Sequence, residues 1–219
     1  MPCYEGHYHH IPSDYVRDRT QPFHENIGQK VDEYLIVDTL GEGGFGRVFL
    51  ALQLPLGMQV AIKLLAKDFP EGPLKSETMQ QVKSEAHALA QLRHPNIVRL
   101  HKYGVADNVP YMVMEYVAGG RTLREEIQSR VREGRPLSMQ EANRILHQLL
   151  DGLEAAHGKG LLHLDIKPEN IMLQTVSGNP YYVRIVDFGL ARSSDEATAA
   201  TLVGTPIYMA PEQFKGGPL

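Results

Sequence analysis

A single cysteine, Cys3, stands in 219 residues, so no intrachain disulfide is available and a reducing compartment is the natural expectation. No apolar run approaches the ~18–20 residues of a membrane span, and the first thirty residues lack the apolar core of a signal peptide. Positive charge is not in surplus either. Lys and Arg number 22 against 26 Asp and Glu, a net charge of −4, which argues against a nucleic-acid face. What is present is a globular balance of 42% hydrophobic and 22% charged residues, in a chain long enough to bury roughly 70–75% of its unfolded surface without staples. These features predict a soluble, cytoplasmic domain with no nucleic-acid partner and no membrane segment in this chain, and they leave its oligomeric state open.

Residues 1–33 show no periodicity and read as a flexible N-terminal extension. His7, His9 and His10 lack a Cys or second His pair at ligand spacing, so a metal site there is disfavoured. From Tyr34 the pattern changes. Tyr34–Leu40, Val48–Leu52 and Met58–Leu65 are short β-branched and aromatic segments between glycine-bearing turns. A helix from about Ser76 to Leu92 follows, then strand-like Ile97–Val105 and Tyr111–Tyr116 joined across Asp107-Asn108. After Gly119-Gly120 the pattern turns helical. Thr122-Leu123-Arg124-Glu125 and Ser138-Met139-Gln140-Glu141 are two capping boxes. Behind the first, Leu123, Ile127 and Val131 predict one apolar face, ended by Gly134. Behind the second, Ala142, Ile145, Leu146, Leu149, Leu153 and Ala156 form a 3.6-residue stripe closed by Gly158 and Gly160. From Leu161 on, short strands alternate with loops. The expected architecture is α+β and two-lobed, with a strand-rich lobe over 34–114 and a bridge and mainly helical part over 115–219.

Gly41-Glu42-Gly43-Gly44-Phe45-Gly46-Arg47-Val48 is a glycine-rich loop whose missing side chains let backbone N–H groups approach phosphate oxygens. A dinucleotide fold uses similar spacing and wants an acidic residue about 20 positions on, near Asp68. It also needs a helix directly after the glycines, whereas Arg47–Leu52 reads as a strand, so the loop joins two strands. Lys63 ends an apolar Val60-Ala61-Ile62 run; an exposed face is the usual fate of lysine. Glu85, however, falls between Leu89 and Leu92 beside Val82 on the apolar face of its helix, where a carboxylate is costly unless paired. A Lys63–Glu85 ion pair satisfies both. His163-Leu164-Asp165-Ile166-Lys167-Pro168-Glu169-Asn170 and Ile185-Val186-Asp187-Phe188-Gly189 add a hydroxyl-orienting carboxylate, oxygen ligands for Mg²⁺ and a cation, the groups that phosphoryl transfer needs. Asp-Phe-Gly alone could be a turn after a buried strand; the two motifs together are not a chance pattern.

In order and spacing, Gly41–Val48, Val60–Lys63, Glu85, His163–Asn170, Asp187–Gly189 and Ala210-Pro211-Glu212 resemble the eukaryotic-type protein kinases. The resemblance spans Gly41 to Glu212 and implies ATP and Mg²⁺ as cofactors. It implies that Gly41, Glu42, Gly43, Gly44, Phe45 and Gly46 cover the phosphates. Val48 and Ala61 would also contact the cofactor, Met114 would lie at the back of the adenine pocket, and the backbone of Glu115 and Val117 would hydrogen-bond the base. Lys63 would contact the α/β-phosphates and be held by Glu85, and Lys167 would sit near the γ-phosphate. Asp165 would orient the acceptor hydroxyl. Asn170 and Asp187 would hold Mg²⁺. His163 would be structural, beneath the Asp-Phe-Gly turn, rather than a base. Lys167-Pro168-Glu169 and Gly204-Thr205-Pro206 are similar to the serine/threonine branch, with Thr205 bonded to Asp165 and Lys167 on the substrate shelf. Met209-Ala210-Pro211-Glu212-Gln213 is similar to bacterial members.

Two features depart from that family. Leu164 stands where many members carry an arginine that grips a phosphorylated activation segment, a charge-assisted contact of ~1.5–3 kcal/mol. Phosphorylation at Ser193, Ser194, Thr198 or Thr201 is therefore expected not to switch activity through that contact. Only seven residues follow Glu212 where the family continues with several helices. The expectation is a fragment or truncated product whose Ala142–Ala156 stripe and Ile185-Val186 strand expose apolar surface. The leading functional expectation is a serine/threonine protein kinase, or its motif-bearing part, acting on a protein substrate. A nucleotide-binding scaffold without catalysis is the alternative from another class; a small-molecule kinase is disfavoured by the peptide-docking look of Gly204–Glu212.

Overall fold

Tyr34 and Ile36 turn inward at the start of the ten-residue strand Tyr34–Gly43, which founds a sheet with the next two strands. The computed structural model describes residues 26–43, 46–65, 73–188 and 205–215, and within these not the side chains of residues 73–79, 81, 85, 214 and 215. The upper part is a six-stranded antiparallel sheet of β1 (Lys30–Val31), β2 (Tyr34–Gly43), β3 (Gly46–Gln53), β4 (Met58–Leu65), β5 (Leu100–Ala106) and β6 (Val109–Glu115), in the order β1-β2-β3-β4-β6-β5, with α1 (Pro73–Gln91) inserted after β4. Asp107 and Asn108 join β5 to β6 with φ of 49° and 63°, the left-handed pair that a tight hairpin requires.

The sheet has two buried faces. Ile36, Phe49, Ala51, Val60, Ile62, Tyr111 and Val113 pack on one side, each large side chain contributing roughly 1.5–3 kcal/mol on leaving water. On the other, Leu65, Leu100 and Met112 meet Val82, Ala86, Leu89 and Leu92 of the α1 segment. That second cluster continues without a break into Ile145, Leu149, Ala156, Leu161, Ile171, Val183, Ile185 and Phe188 of the lower part. The lower part consists of β7 (Arg121–Thr122), α2 (Leu123–Arg132), α3 (Met139–His157), β8 (Ile171–Val176), β9 (Asn179–Ile185) and α4 (Pro211–Lys215), with β7-β8-β9 forming a small sheet. Backbone fastens the two parts: Ile97 bridges Ile185, Val98 N–H donates to Ile185 O at 2.9 Å, and Ile185 N–H donates to Asn96 O at 2.7 Å. Gly152 of α3 lets this junction close, since a Cβ there would lie 2.7 Å from Ile185 Cδ1. Among the described residues, no helix is long and apolar enough to cross a membrane.

Both capping boxes form, with Thr122–Glu125 and Ser138–Glu141 bonded reciprocally. Several expectations are corrected. Residues 26–33 belong to the folded part rather than to a free extension. β1 pairs with β2, and Lys102 holds Glu33 at 3.0 Å and Asp32 at 3.3 Å; two acidic residues near a strand edge carry no periodicity and gave no sign of this. On α2, Val131 is 64% exposed while Glu126 is 3% exposed, because two arginines and Tyr181 make burial of the carboxylate tolerable. On α3, Leu146 of the stripe is exposed, as anticipated, while Ile145, Leu149 and Ala156 of the same stripe are buried. Ile185 is fully buried, closed over by Asn96, Ile97 and Gly152 instead of lying open. His7, His9, His10 and Asp68 lie outside the described residues.

Candidate active site

The hairpin of β2 and β3 pairs Gly41 with Val48, Glu42 with Arg47 and Gly43 with Gly46. The glycine-rich loop therefore joins two strands, the arrangement that excludes the dinucleotide motif. Gly46 has φ of 130°, and a Cβ on it would meet Leu64 O at 2.0 Å, so only glycine fits. The Glu42 carboxylate accepts from Arg47 Nε at 2.9 Å. Gly44 and Phe45 lie outside the described residues.

Beneath this loop, β4 sets Lys63 opposite Val48 and Ala61 opposite Leu50 and Met114. Lys63 is 4% exposed, not on a solvent face, and a buried ammonium needs a counter-charge. The structure supplies Asp187, whose carboxylate accepts from Lys63 Nζ. The expected partner, Glu85, has its side chain outside the described residues. Val82, Leu89 and Leu92 around it in sequence are buried as anticipated. Met114, Leu89, Lys63 and Phe188 line a cavity behind the strand end.

β6 ends at Glu115, whose N–H donates to Arg99 O at 2.9 Å and whose carboxylate accepts from Arg184 Nη2 of β9. Val117, 6% exposed, follows; among the described residues its N–H has no protein acceptor. Arg184 is a contact that sequence reading missed, because a basic residue in an alternating strand looks like an ordinary outward-facing position.

The lower wall is the loop from His163 to Asn170. His163 is buried, its Nε2–H donates to Val186 O at 3.1 Å, and its Nδ1 accepts from Asp165 N–H at 3.3 Å. Its ring packs 4.6 Å from that of Phe188. With both nitrogens engaged it props the Asp187-Phe188 turn and is not free to take a proton. Burial holds its pKa below the ordinary value, which keeps it neutral.

Asp165 is the focus of the polar groups. Its Oδ1 accepts from Thr205 N–H at 2.8 Å and Thr205 Oγ1 at 2.9 Å; its Oδ2 accepts from Lys167 Nζ at 2.7 Å and Asn170 Nδ2 at 3.1 Å. Lys167 also donates to Thr205 Oγ1 at 2.8 Å. Burial pushes the carboxyl pKa up, but the Lys167 and Thr205 bonds outweigh it and hold it below the ordinary value, so the group is ionised at neutral pH. Asn170 spends its side-chain donor on the carboxylate and backbone oxygen of Asp165 and leaves its amide oxygen for another partner. Asn170 O accepts from Val186 N–H at 3.0 Å, tying this loop to the strand that presents Asp187. Leu164 and Asp187 flank the site with φ of 62° and 56°, left-handed conformations that cost non-glycine residues about 1–3 kcal/mol each. Strain of this kind concentrates where function requires it.

Among the described residues, no group of three His, Cys, Asp or Glu could cage a metal. One aspartate, Asp187, and one amide oxygen, that of Asn170, suit an ion that completes its shell with water and substrate phosphate, which is the habit of Mg²⁺. Gly189, Gly204, Ser193, Ser194, Thr198 and Thr201 lie outside the described residues, and Glu212 is exposed.

A family model described as "Protein kinase domain" matches residues 34–218. Among curated relatives, serine/threonine-protein kinase pkn3 of Myxococcus xanthus is 36% identical over 211 residues, spanning 92% of this chain and 37% of that protein. Serine/threonine-protein kinase PrkC of Bacillus subtilis is 35% identical over 195 residues, 87% of this chain and 28% of that protein. The chain thus spans well under half the length of these relatives. The crystal structure of the Mycobacterium tuberculosis PknI kinase domain aligns with a TM-score of 0.61 at 27% identity, covering 75% of this chain and 62% of that one.

Proposed function

The chain belongs to the protein kinase domain family, and from that footing we propose that it transfers the γ-phosphoryl group of ATP to a serine or threonine hydroxyl of a protein substrate. The observation that carries this reading is the ionised Asp165 carboxylate, fixed by Lys167, Thr205 and Asn170. In the reaction the hydroxyl oxygen bonds to the γ-phosphorus, the bond to the β–γ bridging oxygen breaks, ADP departs, and the hydroxyl proton passes to Asp165. A carboxylate held at low pKa is a weak base. Its contribution is to orient the hydroxyl and accept the proton late, as the loose phosphoryl transition state allows.

Lys63 supports this role from above: its ammonium, already desolvated, is the natural counter-charge for phosphate oxygens. Lys167 stands on the acceptor side beside Asp165 and offsets charge there. Ala61 and Val48 offer small apolar walls, Met114 closes the back, and the Glu115 carbonyl with the Val117 N–H would hydrogen-bond an adenine edge. The donor set of Asn170 and Asp187 fits Mg²⁺, which when bound supplies positive charge against the triphosphate. The low cysteine count, together with the lack of a membrane-length helix among the described residues, supports a cytoplasmic setting.

Labelled phosphate transfer from ATP to a generic protein substrate tests the proposal. The wild-type chain is expected to transfer, and Asp165→Asn to lose about 10²- to 10⁴-fold of the rate, the range of a positioned acid–base group, while still binding ATP. Binding without transfer by the wild-type chain would overturn it.

A further inference from the structure

Among the described residues, three fasteners hold residues 205–213 against the catalytic loop, and only the first of them follows from the motifs. The first is Thr205 on Asp165 and Lys167. The last is Gln213, whose Nε2 donates to Leu164 O at 3.1 Å and whose Oε1 accepts from Ala210 N–H at 2.9 Å. Between them the turn Pro206–Tyr208 has no buried residue, and Ile207 is 82% exposed. Packing therefore does little to hold the middle of this segment. Its side-chain anchor is Arg124, from the first turn of α2: Nη2 donates to Tyr208 Oη, and Nε donates to Glu169 Oε1 at 2.7 Å. One planar fork thus joins three elements distant in sequence: α2, the Pro168–Asn170 turn that carries Asn170, and the segment beside Thr205.

We propose that Arg124 is a positioning residue for the protein substrate, fixing the 205–208 segment to the catalytic loop so that an incoming hydroxyl is presented to Asp165. The inference rests on the kinase reading given above. The geometry suits arginine in particular, because its rigid fork bonds a carboxylate and a phenol at once, whereas a lysine is a single point charge. α2 is a firm base for it. Its capping box is complete, and Glu126 two residues on is buried between Arg121 and Arg130. Among the described residues, the side-chain partners of Arg124 are Glu169 and Tyr208, both on the acceptor side of the cleft, so its influence should fall on one substrate and spare the other.

Two measurements on the full chain test this. Steady-state kinetics of Arg124→Ala should raise KM for the protein substrate about five- to tenfold, the scale of a half-exposed ion pair plus a charge-assisted bond, with KM for ATP unchanged. Tyr208→Phe should shift the same constant in the same direction, Arg124→Lys should fall between wild type and alanine, and the Arg124→Ala/Tyr208→Phe pair should be no worse than Arg124→Ala alone. Equal changes in both KM values, or none, would overturn the proposal. Amide hydrogen exchange, which needs no turnover, should quicken at residues 207–210 in either single variant; unaltered exchange there would likewise overturn it. A wild-type chain without transfer activity would count against the kinase reading, while the exchange measurement still decides whether the clamp exists.

Discussion

The lower half of the molecule holds two clusters built from the same chemistry, one around Asp165 and one around Glu126. Each is a carboxylate held by basic and hydroxyl groups, two arginines and Tyr181 around Glu126, and Lys167 and Thr205 with the Asn170 amide around Asp165. Glu126 is buried, accepts from Arg121 Nε at 2.6 Å and Arg130 Nε at 2.8 Å, and shares Arg130 and Tyr181 with Glu141. Its partners stand on β7, α2, α3 and β9, all regular elements. Asp165 takes its partners from a loop and from a segment held mainly by side-chain bonds, with left-handed Leu164 on one side and Asp187 nearby. Saturated hydrogen bonding therefore does not separate structure from chemistry here. What separates them is the scaffold: regular helices and strands around Glu126, loop backbone with left-handed residues around Asp165.

The largest contrast comes from neutralising each carboxylate. Asp165→Asn is expected to remove transfer, as above, while moving the unfolding free energy by no more than about 1 kcal/mol, because the amide has the same shape and keeps an oxygen to accept from its partners. Glu126→Ala should do the reverse. Removing one member of a buried ionic network costs about 3 kcal/mol here, at the low end of such losses because Arg121 is half exposed, with turnover per folded molecule little altered. Urea titration and initial-rate assays on the two variants read both quantities. If Glu126→Ala lost activity without losing stability, the contrast would collapse.

That cluster also marks where sequence reading ran out. The capping boxes, the Asp107-Asn108 hairpin and the strand after the glycine-rich loop were legible because each depends on local geometry or on spacing within one segment, whereas the contact of Thr205 with Asp165, 40 positions away, was expected only from the family resemblance. Glu126 was missed because helical periodicity assigns burial to apolar residues, and Val131 looked the better candidate. Its burial is decided by Arg121 before the helix, Arg130 within it and Tyr181 far along the chain. Arg124 escaped for a related reason: within Thr122–Glu125 it reads as a passenger of a capping box, and its partners lie 45 and 84 positions away. Lys63 was expected to meet a helix carboxylate, and the partner found for it is Asp187, across the cleft. Pairings between distant segments carry no periodic signature, so charge networks are the last thing a sequence yields.

A smaller effect sharpens the comparison from the side of the loop. Burial holds the His163 pKa below its ordinary value of 6.5, against the pull of Val186 O, Asp187 and Asp165. Below that ordinary value the unfolded chain binds a proton that the folded chain refuses, so unfolding is favoured as pH falls. The stabilisation is complete above about pH 6.5–7 and erodes on acidification. His101, also lowered by burial and facing Arg99 and Glu115, acts in the same direction, so the wild-type slope alone does not isolate His163. His163→Gln keeps an amide donor for Val186 O and cannot titrate. Its unfolding free energy should decline less steeply than that of wild type between pH 7 and pH 5, and parallel slopes would show that the imidazole beneath Phe188 is not the buried titrating group.

The smallest effect belongs to the side of the regular elements, at the far end of α2. Gly134 has φ of 66°; its N–H donates to Val131 O at 3.1 Å, and Arg135 N–H donates to Arg130 O at 2.9 Å, the paired closure of a helix in left-handed conformation. A Cβ there meets nothing within 4 Å, so the cost of Gly134→Ala is that of the backbone conformation alone, about 1 kcal/mol. Gly134→Asn should cost less, since asparagine tolerates that region. Because Arg130 supplies both the closing carbonyl and the guanidinium on Glu126, a loss well beyond about 1 kcal/mol would mean that the helix end and the buried carboxylate are energetically one unit. Additivity of Gly134→Ala with Glu126→Ala, measured by thermal unfolding of the double variant, would instead show that the cluster is rigid without help from the helix terminus.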